Sequence, residues 1–263
     1  MPSIVVHIGI VLVLGVLGAF LIGGSEIMSE HFSEIFGVCN STNQPPSSHP
    51  GRSAAAAQQA IEQGGIPATF AAGCFWGTEY FFKDAFNNGA LMYRSVGYMA
   101  GELEGQNPTG RALTTNPGYD AVCTGTTGMA EVVHVVYNPK LVSYEALCLF
   151  FFRMHNPTTL RRQGHDEGIQ YRSAIMAHND EQRNIATAMI KAFDPSNKDD
   201  IIHVGAVQIT PEDRNNFYSV FGETRRIVTT VEPATAFFDA EEYHQDYLEV
   251  NPDGECNHRI YWG

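Results

Sequence analysis

The chain has 263 residues, 44% hydrophobic and 17% charged, enough for one sizeable core with extensions. Its formal net charge of −13 argues against nucleic acid and anionic membrane surfaces as partners. The five cysteines, Cys39, Cys74, Cys123, Cys148 and Cys256, stand far apart with no C-x-x-C pair, which argues against a zinc site or a dense disulfide framework.

Residues Ile4 to Ile22 are almost uniformly apolar, with His7 the only ionisable side chain, and the run is just long enough to span a bilayer. Residues 1–25 therefore read as either a signal peptide or a signal anchor, and both readings stand. Glu26, Glu30 and Glu34 follow and no Arg lies within the run, against a mitochondrial transit peptide. The expected location is the secretory pathway or a membrane-anchored state, with the cytoplasmic face open to an anchor of the opposite topology. Asn40-Ser41-Thr42 is a glycosylation acceptor if it lies in a lumen. Residues 26–64 are expected to form a flexible linker arm, rich in Ser, Asn, Pro and Gly over 40–53, with a short Ala-rich helix expected over Ala54 to Glu62.

The main domain is expected over 65–250. Pro67 to Ala72 reads as a short strand, and the spacing of Phe75, Trp76, Tyr80, Phe81, Phe82, Ala85 and Phe86 predicts a helix that begins beside Cys74. A thiol there feels the positive end of the helix dipole, which favours the thiolate. Phe75 and Trp76 offer it an apolar pocket. Cys74 is otherwise an inert core cysteine; the brackets at Gly73 and Gly77 and the strand-to-helix position favour the reactive reading.

Glu131 to Tyr137 reads as a buried strand ended by Asn138-Pro139, in which Glu131 is the odd member. It is either an exposed strand start or a buried carboxyl able to donate a proton. Ser143 is the expected cap of a helix from Tyr144 to His155, with Cys148 in its core. Tyr171 to Ala177, Ile201 to Ile209 and Ile227 to Val231 are further strands, and Asp180 to Phe193 a helix capped by Asn179 or Asp180. Asp239-x-x-Glu242 resembles a capping box opening a helix that runs to about Val250. Mixed elements of this kind make an α+β domain with helices packed on one sheet. Residues 251–263 read as a mobile tail, in which Cys256 is either an ordinary tail cysteine or a thiol able to swing onto an oxidised partner. Cys123 admits both packing and reactivity. Tyr119 and Tyr171 are hydrogen-bond donors on apolar bodies.

An ordered series of motifs then resembles one family. It runs through Gly73-Cys74-Phe75-Trp76-Gly77, Val96-Gly97-Tyr98, Asn116-Pro117-Gly118-Tyr119-x-x-Val122-Cys123-x-Gly125 and Thr127-Gly128-x-x-Glu131. It continues through His155-Asn156-Pro157-Thr158, Arg162-Gln163-Gly164-x-Asp166-x-Gly168-x-Gln170-Tyr171-Arg172-Ser173 and Ala240-Glu241-Glu242-Tyr243-His244-Gln245-x-Tyr247-Leu248. The series resembles the A-type peptide methionine sulfoxide reductases, specific for the S epimer, and covers roughly Pro67 to Cys256. It departs from the family at Met129, where His is common.

The resemblance implies a ferredoxin-like two-layer sandwich, with helices packed on a mixed β-sheet. It implies protein repair under oxidative stress, reducing methionine (S)-sulfoxide in proteins, peptides or free. Cys74 would attack the sulfur, Glu131 protonate the oxygen, and Tyr119 and Tyr171 hydrogen-bond to it. Phe75 and Trp76 would hold the substrate methyl group, with Asp166 in support. Cys74 would pass through a sulfenic acid to a disulfide with the resolving Cys256. No cofactor or metal is implied beyond an external dithiol, thioredoxin, and the protein would act as a monomer. Two alternatives are a membrane-tethered, non-catalytic binding module for oxidised methionine, and a papain-like thiol protease with His134, His155, His165 or His244 as base.

Overall fold

The computed structural model describes residues 54–100 and 116–263. The expectations on the apolar run, Cys39, Asn40 and the linker up to residue 53 lie outside the described residues. Among the described residues no helix is long and apolar enough to cross a membrane.

Helix α1 (Ala54–Glu62) precedes strand β1 (Ile66–Ala72), helix α2 (Phe75–Ala85) and strand β2 (Leu91–Ala100). After the short helix α3 (Tyr119–Cys123) come β3 (Met129–Tyr137) and α4 (Tyr144–Met154). The two-residue strands β4 (Arg162–Gln163) and β5 (Asp166–Glu167) lead through a 3-10 turn at Ile169–Tyr171 into β6 (Ser173–Ala177) and α5 (Asp180–Ala192). Strands β7 (Ile202–Val204) and β8 (Val207–Ile209), helix α6 (Pro211–Phe221), strands β9 (Thr230–Pro233) and β10 (Phe237–Asp239), and the short helix α7 (Tyr247–Val250) complete the chain.

Among the described residues six strands form one sheet in the order β10-β2-β3-β1-β6-β9. Every neighbouring pair is antiparallel except β6 and β9, so the sheet is mixed. Its centre, β2-β3-β1-β6, is the order a β-α-β-β-α-β ferredoxin-like unit produces. The α+β sandwich read from the sequence is therefore what the chain forms. β3 lies between β2 and β1, and all nine of its residues are buried, which explains its nearly continuous apolar sequence.

One sheet face carries Ala68, Phe70, Val133, Val135 and Ile175 against Phe82 of α2, Leu147, Phe151 and Phe152 of α4, and Met189 of α5. The same core takes Trp262 from the end of the chain, and Tyr261 donates its N–H to the Arg153 carbonyl. The opposite face holds Ala71, Met99, Ala130, Val132 and Met176. Helix α1, Ala-rich, closes a small patch there by setting Ala60 against Tyr93 and Val136.

Local chemistry places the helix starts. Ser143 accepts the Ala146 N–H at 3.2 Å, and Asn179 accepts the Gln182 N–H at 2.8 Å. Thr210 and Asp213 form a reciprocal capping box with Pro211 in the first turn of α6, a helix the periodicity did not single out.

The strand expected over Ile227 to Val231 lies over Thr230–Pro233, and two other expected elements differ in kind. Ile201 to Ile209 is a hairpin, β7 and β8, in a small sheet of its own rather than one strand. The long helix expected after Asp239 is broken into a 3-10 turn at Glu242–His244 and the short α7. Asp239 ends β10 and accepts the Ser95 hydroxyl at 2.7 Å instead of capping a helix. Gln245 accepts the Val96 N–H and donates to the Val96 and Ala240 carbonyls, and Asp246 takes a left-handed φ of 50°. Bonds to β2 thus outweigh the local helix signal.

Candidate active site

The site lies at the end of β1, where the chain turns into α2. Gly73 has φ +93°, a region L side chains rarely enter, and a Cβ there would collide with Gln163. The turn makes Cys74 the N-cap of α2, partly buried and with its thiol free.

Phe75, the first helical residue, donates its N–H to Glu131 Oε2 at 3.0 Å. An orphan amide of the helix start is thereby satisfied by a carboxyl that is only 2% exposed and sits 56 residues later in sequence, near the start of β3. Glu131 is thus a buried member of its strand, not an exposed strand start. Its register partner on β2 is Tyr98, whose hydroxyl donates to Glu241 Oε2 at 2.9 Å. The other oxygen of Glu241 accepts the Tyr119 N–H at 2.9 Å. Glu241 therefore ties the start of α3, and Tyr119 with it, to the strand beside Glu131.

The apolar walls are built by contact with one histidine. Trp76 donates its indole N–H to His244 Nδ1 at 3.0 Å and stacks on Tyr247 at 3.5 Å with an interplanar angle of 10°. The His244 ring also lies 5.0 Å from Phe75 and 4.4 Å from Tyr119. Burial lowers His244 to about 4, so it is the neutral acceptor the indole requires. Tyr171 is buried in the 3-10 turn that packs against β3.

The helix start does not make Cys74 a resting thiolate. Burial pushes its pKa well up, and the charges of Glu131 and Asp166 push the same way. The Trp76 backbone N–H, bonded to the sulfur, opposes them, and the charge of Cys256 adds to the rise. Burial is the largest of these causes, and the partial charge of a helix end does not offset it.

Asp166 faces the tail. Its Oδ2 accepts the Asn257 side-chain N–H at 2.7 Å, and burial raises its pKa above 3.8 despite that bond. Gln163 joins the same seam: its Oε1 accepts the Asn156 N–H, and its Nε2 donates to the Asn257 carbonyl at 3.3 Å. These bonds hold Cys256 near the first turn of α2, where its sulfur faces Gly77. Cys256 is exposed as a residue, yet burial is the largest cause of the rise in its thiol pKa, because the sulfur itself is turned inward.

The structure thus brings together Cys74, Phe75, Trp76, Glu131, Asp166 and Cys256, with Tyr119 joined through Glu241 and His244. Sequence reasoning missed Tyr98, Glu241, Gln163 and Asn257 as parts of the site. It weighed His244 only as a protease base. Its signal was legible, since Tyr98, Gln163, Glu241 and His244 all fall inside the quoted motifs. Of the other histidines considered as bases, His134 bonds Thr69 at 2.7 Å on the other sheet face, and His155 bonds the Phe151 carbonyl and Ser173. Cys148 is buried in the core. Cys123 is partly buried at the end of α3.

Comparison with known proteins agrees across the domain. The family model described as peptide methionine sulfoxide reductase matches residues 67–220 and 212–262. The chain is similar to the peptide methionine sulfoxide reductase MsrA of Methanothermobacter thermautotrophicus, 43% identical over 189 residues, which are 72% of this chain and 89% of that protein. It is 37% identical to the probable peptide methionine sulfoxide reductase of Schizosaccharomyces pombe, over 74% of this chain and 96% of that one. Among solved structures it is similar to Mxr1 of Saccharomyces cerevisiae in reduced form, with a TM-score of 0.58 and 33% identity over 74% of this chain and 92% of that one. It is also similar to the methionine sulfoxide reductase A of Corynebacterium diphtheriae, with a TM-score of 0.53 and 30% identity over 73% and 78% of the two chains.

Proposed function

The chain belongs to the A-type peptide methionine sulfoxide reductases, and from that premise we propose how its own residues carry the reaction. The protein reduces methionine sulfoxide to methionine by thiol chemistry. Cys74 is the nucleophile: its thiol proton passes to Glu131, its sulfur bonds to the sulfoxide sulfur, and Glu131 gives the proton to the oxygen. The S–O bond and the new S–S bond then break as the hydroxyl passes to Cys74 Sγ, so methionine leaves and Cys74 becomes a sulfenic acid. Tyr119 and Tyr171 hydrogen-bond to the oxygen as its charge develops, and Phe75 and Trp76 form the walls for the substrate methyl group. Asp166 supports the site from the tail side, through Asn257. The observation that carries this reading is the bond from Phe75 N–H to Glu131 Oε2, which fastens the acid beside the thiol.

Cys256 completes the cycle by condensing with the sulfenic acid, releasing water and leaving a Cys74–Cys256 disulfide. An external dithiol must then open it, and thioredoxin is the partner of that chemistry. The alternatives of a binding module and a protease have no support in the comparisons.

The test of the reading is turnover of resolved N-acetylmethionine sulfoxide epimers with dithiothreitol. The S epimer is expected to be consumed and the R epimer to be left; equal consumption of both would remove the stereochemical assignment. With thioredoxin as sole reductant, Cys256→Ser is expected to release about one methionine per active site and then stop. Sustained thioredoxin-driven cycling in that variant would overturn Cys256 as the resolver.

A further inference from the structure

His258 lies two residues beyond Cys256 and has no role in the reaction as set out so far. Its Nε2 is 2.7 Å from the Ala72 carbonyl oxygen. A carbonyl can only accept, so Nε2 carries the hydrogen. Thr78 agrees with this assignment: its hydroxyl donates to the Cys74 carbonyl at 3.1 Å, leaving its oxygen lone pairs toward His258 Nε2 at 3.4 Å. In the neutral ring Nδ1 is then an open lone pair, and it sits 3.7 Å from Cys256 Sγ. The same residue directs its backbone N–H at that sulfur, at 3.4 Å. One residue thus offers the thiol both a proton acceptor and a donor to the anion left behind.

The pair is seated against α2 by Gly77. A Cβ at that position would run into both His258 Nδ1 and Cys256 Sγ, so the glycine leaves room for the tail one turn from Cys74. Burial holds His258 down to about 4, so Nδ1 keeps its lone pair through the neutral range. The titratable groups facing the pair are Cys74 at the head of α2, Asp166 on β5 and His155 after α4, and Glu255 on the tail acts on Asp166. Burial, and after it the charge of Asp166, hold the Cys256 thiol pKa up, so a base beside it eases its ionisation.

We propose that His258 is a further catalytic residue, the general base of the resolving step. The Cys256 S–H proton passes to His258 Nδ1 while Cys256 Sγ bonds to Cys74 Sγ. The S–O bond of the Cys74 sulfenic acid breaks, and its hydroxyl takes up a proton to leave as water, the imidazolium returning the one it received. Cys256 sulfur is oxidised, the sulfenic sulfur is reduced, and one thiol plus one sulfenic acid become one disulfide plus one water. The inference rests on the reading of Cys256 as resolver.

The experiment mixes reduced full-length protein with one equivalent of N-acetylmethionine (S)-sulfoxide and follows the Cys74–Cys256 disulfide by acid quench and mass spectrometry between pH 6 and 10. His258→Gln keeps an amide able to reach the Ala72 carbonyl, so the tail stays seated but the base is gone; His258→Ala removes both. In wild type the disulfide is expected to form at a rate nearly independent of pH. In both variants it is expected to slow by about 100-fold or more near pH 7 and to recover about tenfold per pH unit, as the thiolate fraction rises. A wild-type rate in His258→Gln would overturn the role of His258 while leaving the resolver intact. An equal slowing at every pH would reduce His258 to a tail anchor and overturn it as base. Absence of the Cys74–Cys256 disulfide in wild type would remove the resolver reading itself, and this inference with it.

Discussion

Replacing Cys74 with serine is expected to abolish methionine release, in single turnover as well as in steady state, with the fold intact. Serine is close to cysteine in size, the position is only partly buried, and the Trp76 backbone N–H that bonds the sulfur can bond a hydroxyl as well. Nothing in the core of the sheet touches the exchange, so the unfolding midpoint should move by no more than a few degrees. The chemistry is lost because an alcohol is a far weaker nucleophile than a thiol at neutral pH. Methionine release by Cys74→Ser at even a hundredth of the wild-type single-turnover rate would show that the attack comes from another thiol.

Glu131→Gln is expected to act in two opposite directions. Glutamine can still accept the Phe75 N–H through its amide oxygen, so the start of α2 should keep its place. It cannot give a proton to the sulfoxide oxygen, and the single-turnover release of methionine should fall by about 10²–10⁴-fold, the range for loss of a positioned acid. The charge of Glu131 is also one of the causes that hold the Cys74 thiol up, after burial. Removing it lowers the thiol pKa, so more thiolate is present at a given pH and alkylation by iodoacetamide should be faster in the variant. Faster alkylation with slower reduction separates proton donation from general damage to the site. An unchanged single-turnover rate would remove Glu131 as the acid; slowing of both reactions together would point to a collapsed pocket.

The two predictions show why the helix dipole was a poor guide to Cys74. Sequence places the thiol at a helix N-terminus, where local electrostatics favours the anion. The folded chain then adds burial and two carboxylates, Glu131 from β3 and Asp166 from β5, and both arrive from more than 50 residues away. Periodicity within a window cannot anticipate their field. The same limit explains β2, for which only Val96-Gly97-Tyr98 stood out. Arg94 and Ser95 look like surface residues in sequence, but in the fold they bond Asp246 and Asp239.

Several features were nonetheless legible in the residues alone. The strand before Gly73, the helix after Cys74, the buried strand ending at Tyr137 and the caps at Ser143 and Asn179 follow from contacts within a few residues. The ordered motifs identified the family and with it the reaction. Spacing along the chain determines which backbone groups a side chain can cap and which face of a helix or strand is apolar, and those choices need no distant partner. Tertiary structure alone decided that Glu131 clamps the Phe75 amide, that Glu241 links Tyr98 to Tyr119, that His244 holds Trp76, and that Cys256 and His258 rest on Gly77. Those pairs span about 55 to 180 residues, so only the closing of the sheet and the return of the tail bring them together. Once together in a dry site, their bonds and charges outweigh the local preference of a thiol at a helix start.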